Sequence, residues 1–110
     1  MTVERRERIR VLNDRLRIER AGGRVLATRG VMAKGLAFLV AVAGALQRYD
    51  GFRDENDPYG EHDFGSLSID GETVFWKIDY YDQSLTAAAV DPSSETGCVR
   101  VLTVMLAEEY

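Results

Sequence analysis

FGSLSIDGETVFWKIDYY, residues 64–81, decides the reading of this chain. Two runs of alternating residues flank Asp70-Gly71, a pair suited to the two-residue turn that joins antiparallel strands. A hairpin over 64–69 and 72–81 follows. A two-residue loop sets the register: Ile69 faces Glu72, Leu67 faces Val74, Gly65 faces Trp76 and Asp63 faces Ile78, forming an apolar face suited to a core. The other face pairs Ser68 with Thr73, Ser66 with Phe75, Phe64 with Lys77 and His62 with Asp79.

On the N-terminal side the hairpin is preceded by a polar loop, residues 53–63, in which Asn56, Asp57, Pro58 and Gly60 are turn formers. Before it, residues 32–49 predict a helix with Leu36, Leu39, Val40, Ala43 and Leu46 on one side. Arg24–Arg29 reads as a short strand closed by Gly30. Residues 3–20 predict an amphipathic helix with Ile9, Leu12 and Leu16 in a narrow stripe and Arg and Glu around the rest, ended by Ala21-Gly22-Gly23. On the C-terminal side lies a loop over 82–98, then a strand over 99–106 that is apolar on both faces and so suits a central position. The expected fold is α+β: a single domain over 1–110, an antiparallel sheet of about four strands with two helices on one face, in the order α-β-α-β-β-β.

Composition narrows the function classes. With 110 residues, 45% of them apolar and 29% charged, the chain reads as one small globular domain. One cysteine, Cys98, excludes an intramolecular disulfide and reads as a buried small hydrophobe. The longest uncharged run lies between Lys34 and Arg48, short of the roughly 20 residues of a bilayer-crossing helix. No membrane association is expected. Residues 4–10 alternate Glu and Arg, unlike a secretory signal, so a cytoplasmic location is expected.

The net charge of −4 conceals a division. Residues 1–49 carry eleven Lys/Arg against four acids, and residues 50–110 carry three against fourteen. Either half suits a charged partner: the basic one a nucleic acid, the acidic one a basic protein cleft. Alternatively the halves fold together and neutralise locally.

Three candidate sites follow. The acidic surface comprises Asp54, Glu55, Asp57, Glu61, Asp63, Asp79 and Asp82, and implies a protein partner with a basic surface. The first alternative is a nucleic-acid-binding face made of Arg5, Arg6, Arg8, Arg10, Arg15 and Arg17 on the first helix. The second is a small hydrolase or nuclease in which the only histidine, His62, is oriented by Asp79 across the hairpin, with Lys77 and Tyr81 on the same face. A hard cation on Asp57, Glu61 and Asp63 lacks the spacing of a calcium loop, and one histidine does not complete a zinc shell. Neither metal nor cofactor is expected. Asp63-Phe64-Gly65 matches the magnesium tripeptide of protein kinases, but none of the other kinase motifs accompanies it.

The run NDPYGEHDFG at 56–65, FWKIDYYD at 75–82 and RVLTVMLAEEY at 100–110 resemble a family of small bacterial proteins of unknown function found on plasmids, phages and genomic islands. LNDRLR at 12–17 and Gly22-Gly23 are similar too. The resemblance implies mobile-element company and transfers no activity. Small proteins in that setting often serve transfer, copy control or the defeat of host defences, and a compact acidic domain suits the basic, nucleic-acid-binding cleft of a defence complex such as a CRISPR effector. The leading expectation is therefore a non-enzymatic interaction protein, monomeric or homodimeric, acting as an anti-CRISPR-like inhibitor.

Overall fold

The structure, a computed structural model, describes residues 2–110. Its elements in chain order are α1 (Val3–Glu19), β1 (Gly23–Ala27), α2 (Arg29–Ala33), α3 (Leu36–Arg48), β2 (Phe64–Ile69), β3 (Glu72–Tyr81), β4 (Val99–Leu106) and a 3-10 turn over Ala107–Glu109. The α+β class and the four-stranded sheet agree with the sequence reading. Two features differ.

First, the sheet is mixed. Its strand order is β1-β4-β3-β2, and β1 runs parallel to β4 while the other pairs are antiparallel. The last strand thus enters between the first and third, which explains why it is apolar on both faces. Parallel pairing requires a long crossover, and α2, α3 and the hairpin supply it.

Second, there are three helices rather than two. The expected helix over 32–49 is broken at Gly35, whose φ of 96° is left-handed territory that glycine enters without steric cost. Upstream of the break, Thr28 caps α2 by accepting from the Val31 amide, so helix begins where the strand was expected to end.

The hairpin register is the one read from the sequence, from Phe64 opposite Lys77 to Ile69 opposite Glu72. Asp70 and Gly71 both take positive φ, 51° and 79°, as a twisted two-residue turn requires. Leu67, Ile69, Val74, Trp76 and Ile78 face the helices and pack with Leu16 of α1, Val31 of α2, and Phe38, Val42 and Leu46 of α3. Gly65 lets Trp76 approach: a Cβ there would lie 2.4 Å from Trp76 Nε1 and 2.7 Å from Tyr49 Cζ.

α1 is capped by Thr2, whose hydroxyl accepts from the Arg5 amide, and ends at Arg20 in the left-handed conformation. The stop therefore comes one residue before the Ala21-Gly22-Gly23 run. No helix of the described residues is long and apolar enough to cross a membrane.

Candidate functional site

α1 carries Asn13, Asp14 and Arg17 within little more than one turn, so all three project toward the same side. They meet the loop that precedes β2. Asn13 is fully buried and saturated: its amide donates to Glu61 O at 2.9 Å and to Tyr80 Oη at 2.8 Å, while its carbonyl oxygen accepts from Arg100 Nε at 2.9 Å. Arg100, also buried, donates its other arm to Pro92 O, which ties the 82–98 loop to the same junction. Four segments distant in sequence are thus joined through one amide.

Arg17 performs a second closure. Its Nη1 donates to Leu46 O at 2.7 Å, which also accepts from the Tyr49 amide, and to Tyr49 O at 3.2 Å, so it supplements the pairing of carbonyls at the end of α3. Its Nη2 donates to Asp14 Oδ1 at 3.1 Å, and its guanidinium lies over the Phe52 ring at 5.3 Å. The buried Nε has no partner.

His62 sits in this junction and not in the hairpin. Asp57 Oδ1 accepts from the amides of both Glu61 and His62 at 3.1 Å, which curls the chain and puts His62 at φ 57°. The ladder therefore stops at Asp63, whose carbonyl still accepts from the Ile78 amide at 2.8 Å. The imidazole stacks flat on Phe52, with centroids 3.7 Å apart and 1° between planes. Its Nδ1 lies 2.8 Å from Asp14 Oδ1, and its Nε2 lies 3.6 Å from Asp57 Oδ2.

The expected pairing of His62 with Asp79 is thus not formed. Asp79 points to the opposite face of the sheet, where it pairs with Lys77 at 3.0 Å. Of the set His62, Asp79, Lys77 and Tyr81, the structure gathers the last three on one face of β3 and leaves the histidine on the other side. The carboxylates that do approach His62, Asp14 and Asp57, are invisible to hairpin register because helix and loop packing bring them in.

The seven candidate acids separate into distinct environments. Asp54 and Glu55 stand exposed at the tip of the loop. Asp57 is buried and structural. Glu61 and Asp63 are half-buried, and both carboxyls are pushed above their ordinary range, first by burial and then by neighbouring carboxylates: Asp63 and Asp57 for Glu61, Asp57 for Asp63. Burial and the Asp63 charge likewise push the Tyr80 phenol up. Asp82 caps the following turn, accepting from Ser84 Oγ and the Thr86 amide, which holds its carboxyl low. Among the described residues no group of three His, Cys, Asp or Glu is arranged to hold a metal.

The arginine face of α1 is largely engaged. Arg5 pairs with Asp91 at 2.7 Å and Arg15 with Glu95 at 2.9 Å, Arg17 is buried, and Arg6 lies over the Tyr59 ring at 5.3 Å. Arg8 and Arg10 remain without an ionic partner among the described residues. The basic and acidic halves therefore do neutralise locally along α1. Serine hydroxyl and Arg5 together lower the Asp91 carboxyl to about 2. Burial pushes the Cys98 thiol up, in keeping with a small buried hydrophobe.

The loop, the hairpin and β4 that build this junction fall within residues 27–109, which match the family model described as Protein of unknown function (DUF3768). The chain belongs to that family. The matched span takes in NDPYGEHDFG, FWKIDYYD and most of the C-terminal peptide; α1, with Asn13, Asp14 and Arg17, lies outside it, so the family match is shorter than the resemblance read from the sequence. No curated protein and no solved structure matches the chain.

Proposed function

We propose that this protein is a non-enzymatic interaction protein that engages a basic partner through the rim formed by Asp54, Glu55, Glu61 and Asp63. The observation that carries this reading is the crowding of carboxylates: beyond the effect of burial, Asp63 and Asp57 raise the proton affinity of Glu61, and Asp57 raises that of Asp63. In isolation that repulsion costs energy, and a partner's Lys or Arg relieves it. Asp54 and Glu55 extend the negative field outward, where it speeds encounter. Asp57, Asp79 and Asp82 shape the fold around the rim instead of forming its contact surface, since each is engaged internally.

The mobile-element company suggested by the resemblance supplies a partner class. A defence complex that holds nucleic acid in a basic cleft offers a complementary surface, and an inhibitor of host defence, anti-CRISPR-like in action, is the corresponding role. Recognition through the α1 arginines ranks second, because Arg5, Arg15 and Arg17 already have internal partners.

The test is expression of the chain in cells whose CRISPR system targets a phage, with plaquing as readout, followed by co-purification of the effector complex. Restored plaquing and salt-sensitive co-purification, both lost in Asp54→Lys/Glu55→Lys, are the expected result. Binding that ignores salt and charge reversal would sink the rim, and a DNA gel shift that persists in the charge-reversed variant would favour the helix.

A further inference from the structure

The strand order leaves one side of β1 unpaired among the described residues. Val25 of this strand sits opposite Leu102 and so faces the helices, yet it remains 37% exposed where such a residue is normally covered. An apolar groove of about 420 Å³ opens beside it, lined by Val25, Leu26, Leu36, Leu39 and Val40, with Val104 of β4 beneath. Leu36 and Val40, one turn apart on α3, are 76% and 63% exposed. Single exposed apolar residues need no explanation, but a continuous groove beside an open strand edge is the arrangement that receives an extended segment as an added strand.

Charge identifies the occupant. Residues 20–49, which supply most of the groove's walls, carry five Lys/Arg and no acid. Lys34 is paired with Glu72 at 2.6 Å. Arg20, Arg24, Arg29 and Arg48 are exposed and form no ion pair among the described residues. Glu109 approaches the start of α2, but its carboxylate is occupied by Thr28 Oγ1, the Gly30 amide and the Leu106 amide. Edge-to-edge pairing of two copies through β1 would bring two margins that each carry Arg24 and Arg29 and no acid against one another, and like charges that close repel.

We propose that the β1 edge accepts an acidic, extended segment of a partner protein as a fifth strand, with alternate apolar side chains filling the groove under α3 and carboxylates meeting Arg24 and Arg29. This surface is separate from the acidic rim and stands or falls independently of it. The experiment titrates the full chain with a labelled short peptide of alternating Glu and Val, and with its Lys-Val counterpart, reading anisotropy and amide hydrogen exchange. Expected are binding of the Glu-Val peptide alone, weakening with salt, and slower exchange over residues 23–27. Val40→Asp, at an exposed position, should weaken binding at least about tenfold without lowering the melting temperature. Arg24→Glu should weaken it in the same direction. The proposal is overturned by no binding at about 1 mM peptide, by equal binding of the Lys-Val peptide, or by binding with no protection of β1. It is equally overturned if anionic vesicles bind where the peptide does not, or if the chain dimerises through this edge and Val40→Asp abolishes the dimer.

Discussion

Arg17 closes the end of α3, balances Asp14 and lies against Phe52 from one buried position. Replacing it by Met removes the guanidinium donors, leaving Asp14 and the Tyr49 carbonyl without them and the Leu46 carbonyl with the Tyr49 amide alone, so Arg17→Met should cost about 3 kcal/mol in urea unfolding. A loss below about 1 kcal/mol would mean that water replaces the guanidinium. Asp63 makes a prediction of opposite sign. Its carboxyl is raised in the folded protein, so between its ordinary and folded pKa the native state binds more protons than the unfolded one, and stability falls as pH rises through that window. Asp63→Asn should therefore raise the melting temperature at pH 7. The gain should shrink as pH falls through the raised folded pKa and be gone below the ordinary carboxylate value of roughly 4, where the unfolded chain is protonated as well; a variant less stable than the parent at pH 7 would contradict this. At this scale the sequence revealed which residues carry chemistry but not which of them meet. Strand alternation pairs His62 with Asp79; the Asp57 turn rotates it away, and nothing in local spacing announces a side chain that accepts from two successive amides.

Among the elements, the hairpin depends on the absence of a side chain at position 65. Gly65→Ala places a methyl within contact of Trp76 and Tyr49, and overpacking of this kind should destabilise by about 2 kcal/mol. Thermal melts followed by tryptophan fluorescence check it, and an unchanged midpoint would show that the ring stack yields. α1 offers the reverse case. Its exposed pairs, Arg5 with Asp91 and Arg15 with Glu95, contribute little because solvent screens them, so Arg5→Gln and Arg15→Gln should each cost less than about 1 kcal/mol. A larger loss in urea would show that α1 is anchored by its charges and not by Ile9 and Leu16. The hairpin was legible because turn chemistry and alternation are local. The break at Gly35 was harder to see, since apolar periodicity continues across it and only the backbone angle marks the interruption.

For the whole molecule, one core receives side chains from all three helices and from β2, β3 and β4, while Asn13 and Arg100 tie α1 to the loops. Unfolding should accordingly be a single transition, with far-ultraviolet circular dichroism and Trp76 fluorescence giving coincident curves in urea; separated midpoints would show α1 detaching first. The charge division along the chain becomes, in three dimensions, paired surface along α1, an acidic rim around the 53–63 loop and a basic margin around β1. Membership of the family of unknown function places no constraint on which surface acts, so the two binding experiments bear on separate faces. What the sequence determined alone was the α+β class, the hairpin and its register, the central place of the last strand and the sites of charge, because each rests on spacing between near neighbours. Tertiary structure decided the parallel pairing of β1, the partners of His62 and the neutralisation of α1. Those contacts join residues far apart in the chain, and their geometry is set by how helices and sheet bury a shared core rather than by any local pattern.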